Sequence, residues 1–200
     1  MTSFFYCLFI LLLIALSLPL QFLVVILIAI TSGFPVVYSQ RRTGKNGKTF
    51  LMYKFRTMVK GAHGLQNKFE KLNEADGPVF KIRDDPRFTR IGKFLSHTGL
   101  DELPQLWNVV RGDMALIGPR PLPVAEASKL APWMRKRHDV LPGIISPWIL
   151  NGYHRQSFRE WMKSDVSYAK HKSVSGDIRL FFCVCRLMAR LFISELKRAS

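Results

Sequence analysis

No lysine, arginine, aspartate or glutamate occurs in the first 40 residues, so the entire formal charge of +16 is carried by residues 41–200. Such an excess implies an anionic partner: nucleic acid, acidic lipid or a phosphorylated substrate. Cysteine is scarce. Cys7, Cys183 and Cys185 offer neither a disulfide framework nor a zinc spacing, and they read as small apolar packing residues. Internal repeats and low-complexity tracts are absent outside one apolar segment. No positively charged region precedes that segment, and it is too long for the core of a cleaved signal peptide. The length of 200 residues suggests one domain with an appendage.

The appendage is the apolar run over residues 4–31, where Ser17 and Gln21 are the polar exceptions before Thr31. A straight helix of that length measures roughly 42 Å, against ~30 Å of bilayer hydrocarbon. Pro19, near its middle, removes a backbone donor and crowds the preceding turn, which predicts a kink or break. Composition leaves two arrangements open: a tilted, kinked span, and a re-entrant hairpin that dips into one leaflet and returns. The run Arg41-Arg42-Thr-Gly-Lys45-Asn-Gly-Lys48 follows at once, and by the positive-inside rule it places the remainder in the cytoplasm. With no charge ahead of the run, charges alone do not place the N-terminus.

In the soluble part, Val36-Val37-Tyr38 predicts a short strand and residues 42–47 a turn. Phe50 to Met58 mixes apolar residues with Lys54 and Arg56. A short helix is expected at Leu65–Asn73 and another from Leu100 to Val110. Asp84-Asp-Pro-Arg87, Pro142-Gly143 and Asn151-Gly152 mark loops. From Asp177 to Lys197 a helix is expected, with Arg179, Arg186, Arg190 and Lys197 forming one narrow stripe on an otherwise apolar surface. That pattern suits a helix lying in a membrane interface, and equally a core helix with its charged side in solvent. Glu195 falls on the apolar side and predicts fraying of the last turn.

Two adjacent carboxylates, Asp101 and Glu102, stand at the start of the helix expected over Leu100–Val110. Free N–H groups and the helix dipole at such a place favour anions, so Asp101 is expected to stay ionised and a phosphate to bind beside it if the repulsion is offset. Arg120, held between Pro119 and Pro121 on a stiff backbone, is suited to that task because its fork makes two parallel hydrogen bonds to phosphate.

At this point the chain resembles a known family, the bacterial sugar transferases of the small monotopic phosphoglycosyl transferase type. The resemblance covers nearly the whole chain. It begins with the apolar stretch and its central proline, then Pro35-Val-Val-Tyr-Ser-Gln40, Arg42-Thr-Gly44 and Tyr53-Lys-Phe-Arg-Thr-Met58. It continues through Asp85-Pro-Arg87, Thr89-Arg-Ile-Gly92, Leu100-Asp-Glu-Leu-Pro-Gln-Leu106, Asn108-Val109, Gly112-Asp-Met114 and Gly118-Pro-Arg-Pro121. Pro142-Gly143, Trp148, Gly152, Ser157-Phe158, Trp161, Asp165, Tyr168 and Asp177 complete it. Each motif is weak alone; their order and spacing together are specific.

The resemblance implies an α/β, mostly helical fold. A re-entrant helix-break-helix over residues 1–35 would precede a compact cytoplasmic catalytic domain over residues 36–200 with amphipathic interfacial helices. It implies transfer of a sugar 1-phosphate from a UDP-sugar to a polyprenyl (undecaprenyl) phosphate, with Mg²⁺, release of UMP and a covalent aspartyl-phosphosugar intermediate. Asp101 matches the nucleophile and Glu102 its neighbour, and both are candidate Mg²⁺ ligands. Arg120 and Arg56 are the leading candidates for substrate phosphates, with Lys54, Arg42 and Pro119 beside them. Asp113 is a candidate cap or salt-bridge partner. The implied setting is the bacterial inner (cytoplasmic) membrane, with an anionic lipid bilayer as partner and no nucleic acid; a homo-oligomer is compatible with the sequence.

Departures from the family pattern are Leu18 before Pro19, with Ser17 one residue earlier; Ser96 where a basic residue is common; Gly99 at the expected helix cap; and Gly152-Tyr153 for a Gly-Arg pair, with Arg155 following. Two rival readings remain. A membrane-anchored nucleic-acid binder suits the charge but lacks spaced aromatic platforms. A non-catalytic membrane scaffold of the same descent suits the departures.

Overall fold

A computed structural model describes the backbone of residues 2–151 and 157–199 and the side chains of residues 4–149 and 157–194. The helices are α1 (Thr2–Ser32), α2 (Arg90–Thr98), α3 (Gln105–Val110), α4 (Val124–Ala127), α5 (Phe158–His171) and α6 (Val174–Ala199). The strands are β1 (Val37–Thr43), β2 (Thr49–Phe55), β3 (Ala115–Ile117) and β4 (Gly143–Ile145). β1 and β2 form an antiparallel hairpin in which Val37 faces Phe55 and Thr43 faces Thr49. Its turn is closed by Asn46 and Gly47, both at positive φ, where a side chain beyond Asn is strained. β3 and β4 pair in parallel, Ala115 with Gly143 and Ile117 with Ile145. The expected α/β, mostly helical class is what is observed.

α2 and α5 were not anticipated. Both carry start signals: the Thr89 hydroxyl accepts from Gly92 N, and Ser157 with Glu160 makes a reciprocal capping box. The helix expected at Leu65–Asn73 is a 3-10 helix over Ala62–Leu72. The helix expected from Asp177 starts at Val174. The side chains of Glu195 and Lys197 lie outside the described residues.

α1 runs as one continuous helix through Pro19, not as two helices with a break between them. A proline removes a single rung of the backbone ladder. Local side-chain bonds line the same stretch: Ser17 Oγ donates to Ile14 O at 2.9 Å and Gln21 Nε2 donates to Ser17 Oγ at 2.9 Å. Among the described residues α1 alone is long and apolar enough to cross a membrane. Yet it does not leave the rest of the chain. Ile10 and Ile14 pack with Met52, Leu106, Val109, Met114, Leu116 and Ile117. Further along, Val24 and Ile28 pack with Val36, Phe55 and Leu95. Near the N-terminus, Leu116 N donates to Tyr6 Oη at 2.8 Å. At 100° per residue, Ile10, Ile14, Val24 and Ile28 fall within about 80° of one another, so one stripe of α1 faces the body of the protein. The opposite face, with Leu8, Leu12, Leu16, Leu23 and Ile30, is exposed.

α6 carries three stripes. Leu180, Phe181, Val184, Leu187, Met188 and Leu191 face inward. Ile178, Phe182 and Ile193 form an exposed apolar stripe. Arg179, Arg186 and Arg190 form an exposed basic stripe beside it. One face of α6 thus packs on the body, as a core helix does, and an apolar and a basic stripe stay exposed. Cys7 on α1 and Cys183 and Cys185 on α6 are free thiols and exposed, not core packing residues.

Candidate active site

The turn that bears the carboxylates is made by Gly99. α2 ends at Thr98, and Gly99 takes φ 72 to reverse the chain into a 3-10 turn over Leu100–Glu102. Pro104 then precedes the short α3. The single helix expected over Leu100–Val110 is thus two pieces, and Gly99, at the expected cap position, is the left-handed residue that joins α2 to the first of them. A helix dipole does not govern Asp101. Burial does: only 5% of the residue is exposed.

Lys54 sits on β2 on the same side as Phe50 and Met52, which turns it inward. Asn108 of α3 fixes that strand over the turn, accepting from Tyr53 N at 3.1 Å and donating to Leu51 O at 2.7 Å. Lys54 Nζ then lies 3.1 Å from Asp101 Oδ2 and 2.6 Å from Glu102 Oε1. Arg120 Nη1 donates to the same Glu102 oxygen at 2.9 Å.

Arg120 is placed by a loop whose carbonyls are nearly all held. Gly143 N donates to Pro119 O at 3.0 Å, and Thr43 N donates to Leu122 O at 2.9 Å. Arg42 Nη1 donates to Pro121 O at 3.0 Å. Arg137 Nη2 donates to Arg120 O at 2.6 Å and is itself paired with Asp165 Oδ2 at 2.6 Å inside the protein. Gly118 and Gly143 make this packing possible, since a Cβ at Gly143 would lie 2.0 Å from Gly118 N. Pro119 is fully buried, so it shapes the loop and does not face a ligand.

The electrostatics separate the two carboxylates. Burial pushes Asp101 above the usual carboxylate range; Lys54 opposes this and the charge of Glu102 adds to it. Burial acts on Glu102 in the same sense, but Lys54 and Arg120 together outweigh it and hold the group down at about 2. Glu102 is therefore the permanently ionised anchor of the two cations. Asp101 is the more basic carboxylate, the property wanted in a nucleophile.

A cavity of about 750 Å³ contains Lys54, Asp101, Glu102 and Arg120, and also Arg42 and Lys81. Burial, then the nearby Arg120, brings Arg42 down to about 10. The same two causes bring Lys81 down to about 7. Lys81 Nζ stands 4.9 Å from the ring centre of Trp148. Cations crowded at this cost suit a site that receives an anion. Nothing in the sequence marks Lys81, which lies between Phe80 and Ile82 in an irregular stretch with no periodicity to show its direction.

Arg56 is reassigned. Its Nη2 donates to Ser32 O and Gly33 O, both at 2.6 Å, so it closes the C-terminal end of α1 and is turned away from the carboxylates. Asp113 accepts from Asn108 Nδ2 at 3.3 Å and lies 3.5 Å from Arg111 Nε. Ser96 lines the cavity. Gly152, Tyr153 and Arg155 lie outside the described residues. Among the described residues no group of three or more His, Cys, Asp or Glu converges as a closed metal site. Asp101 and Glu102 supply hard oxygen donors on one turn, a set that suits Mg²⁺ when substrate phosphates complete it.

The chain is 39% identical over 157 residues to the galactosyl transferase CpsE of Streptococcus agalactiae, covering 78% of this chain and 35% of that protein. It is 34% identical over 168 residues to the undecaprenyl-phosphate galactose phosphotransferase of Salmonella typhimurium, covering 79% of this chain and 34% of that protein. The chain thus spans about a third of the length of these relatives. With the exopolysaccharide production protein ExoY of Sinorhizobium fredii it shares 37% identity over 181 residues, 86% of this chain and 78% of that one. The family model described as bacterial sugar transferase matches residues 1–190, which includes α1, the Asp101 turn, the Arg120 loop and most of α6. With a match of that extent, the chain belongs to the bacterial sugar transferase family.

Proposed function

We propose that the protein transfers a sugar 1-phosphate from a UDP-sugar to a polyprenyl phosphate, releasing UMP and starting a cell-surface glycan. The observation that carries this reading is the buried cluster of Asp101, Glu102, Lys54 and Arg120 in a cation-lined cavity. A carboxylate oxygen of Asp101 attacks the sugar-bearing phosphorus. The bond from that phosphorus to the UMP oxygen breaks, and UMP leaves with the bonding pair. A phosphate oxygen of the polyprenyl acceptor then attacks the same phosphorus and Asp101 departs as a carboxylate. Glu102 holds Lys54 and Arg120 where charge develops on the phosphoryl oxygens. Arg42 and Lys81 offset the remaining negative charge of the diphosphate. Asp101 and Glu102 would hold Mg²⁺, which when bound neutralises diphosphate oxygens.

Release of UMP, measured over a panel of UDP-sugars with and without polyprenyl phosphate, tests the reading. Turnover of one sugar nucleotide supports it. A folded protein that releases UMP from none is a scaffold or a binder of some other anion.

Lys81 gives the reaction a pH signature. It is charged below about pH 7 and loses its charge above it. The KM for the UDP-sugar should therefore climb as pH rises through 7 to 9. Lys81→Arg, charged throughout that range, should flatten the climb. Parallel pH profiles for the two proteins would remove Lys81 from the diphosphate site.

The reading also places the protein at the cytoplasmic face of the inner membrane, with both ends of the continuous α1 on that side. Support comes from the packing of both halves of α1 on the same body. The outward apolar and basic stripes of α6 suit an anionic leaflet. Single cysteines introduced at positions 2 and 45, in a background without Cys7, Cys183 and Cys185, should react with an impermeant thiol reagent from the same side. Labelling from opposite sides would make α1 a span.

A further inference from the structure

Residues 73–81 follow the 3-10 helix over Ala62–Leu72 and bring Lys81 to the cavity. Neither helix nor strand runs through them. One side chain supplies the missing bonds. Asn73 Oδ1 accepts from Ala75 N at 3.2 Å and from Lys81 N at 2.8 Å. Asn73 Nδ2 donates to Val79 O at 3.1 Å. A carboxamide offers two lone pairs and a donor at once, and this set fixes its orientation: the oxygen faces two N–H groups and the nitrogen a carbonyl. The backbone closes the same ring, with Glu74 N donating to Lys81 O at 2.8 Å. Lys81 is thus gripped at both its N–H and its C=O by two consecutive residues from the other end of the loop.

Two further bonds seat the loop on the body. Phe158 N, at the start of α5, donates to Asp76 Oδ1 at 2.6 Å, and the Phe80 backbone N–H donates to the Glu126 carboxylate of α4. With its backbone held, Lys81 reaches the face of Trp148. The charged groups facing it are Arg120 from the loop after β3 and Glu74 and Arg83 from its own stretch. Arg42 of β1 and Glu126 of α4 line the same space. A lysine with a free backbone would leave such a place, because solvent returns its hydration and its rotamer freedom and relieves the repulsion from Arg120. Asn73 does not itself line the cavity.

We propose that Asn73 is a positioning residue of the donor site: through the backbone of Lys81 it holds that cation over Trp148, where the diphosphate of the UDP-sugar is received. The identity of the diphosphate rests on the transferase reading. The grip of Asn73 on Lys81 does not.

The test uses the full chain in nanodiscs with Asn73→Ala and Asn73→Ser. The serine hydroxyl still reaches Ala75 N, two residues on, but spans to neither Lys81 N nor Val79 O. Trace acetylation with acetic anhydride across pH, read by peptide mass spectrometry, titrates the Lys81 amine. In the unsubstituted protein Lys81 should titrate at about 7, held low by burial and then by Arg120. In both variants it should titrate higher, towards the ordinary lysine range, because the charged form regains water. The KM for the UDP-sugar should rise about tenfold below pH 7, the scale of one hydrogen bond to a charged group. In a Lys81→Ala background the same substitutions should leave that KM within about twofold, since the residue they act through is gone. Damage to the fold would instead add to the effect of Lys81→Ala. An unchanged titration of Lys81 in Asn73→Ser overturns the proposal. So does a titration that moves while the KM stays in place, or a KM effect of equal size with and without Lys81. If Asn73→Ala fails to fold, Asn73→Ser decides. A protein that releases UMP from no sugar nucleotide overturns the transferase reading by itself, and the titration then still decides whether Asn73 sets Lys81.

Discussion

Asp101→Asn should abolish UMP release from a UDP-sugar, with or without lipid acceptor. The amide has no negative charge to bring to phosphorus and cannot leave again as a carboxylate. Its size is unchanged, and the bonds from Lys54 and Arg120 to Glu102 remain to hold the site. Glu102→Gln should behave differently. It removes the anion that anchors both cations, so it lowers the rate of both steps but leaves the nucleophile in place. Quenched assays of UMP over the first turnover distinguish the two. If Asp101→Asn releases UMP within about tenfold of the unsubstituted rate, roughly 1.4 kcal/mol in barrier, another group is the nucleophile. The raised affinity of Asp101 for protons adds a direction in pH: activity should fall on the acid side as Asp101 protonates, while Glu102, held at about 2, stays ionised.

Gly143→Ala should destabilise the protein by roughly 3 kcal/mol or more and remove activity with it. The added carbon would stand 2.0 Å from Gly118 N, 2.5 Å from the Ile117 carbonyl carbon and 2.7 Å from Gly118 Cα. Those atoms are backbone and no rotamer relieves them. β4 must move off β3, breaking the bond from Gly143 N to Pro119 O that sets the loop carrying Arg120. Gly64→Ala, where a Cβ meets nothing within 4 Å, is the control and should change stability little. Thermal denaturation in nanodiscs, run beside the UMP assay, measures both. A Gly143→Ala protein that melts with the unsubstituted one would mean that the two strands separate at little cost.

The amino-acid order by itself determined the elements whose signal is local. The apolar run became α1, the C-terminal stripe became α6, and Asn46-Gly47 closed the hairpin, because periodicity and turn chemistry act within a few residues. It also singled out Asp101, Glu102 and Arg120, whose spacing in the chain matched a family pattern before any contact was known. What only the tertiary structure decided was which side chains meet. Lys54 on β2 and Arg56 just past its end are two residues apart, and nothing local distinguishes their tasks. The docking of α3 beneath the strand through Asn108 points Lys54 at the carboxylates, while the end of α1 captures Arg56 with two carbonyls. Lys81 and Arg137 gained their places in the same way, one over Trp148 and one behind Arg120, through partners distant in sequence. The pKa order of Asp101 and Glu102 is likewise a tertiary property. Identical chemistry on adjacent residues diverges because Arg120, brought from eighteen residues away, donates to only one of them.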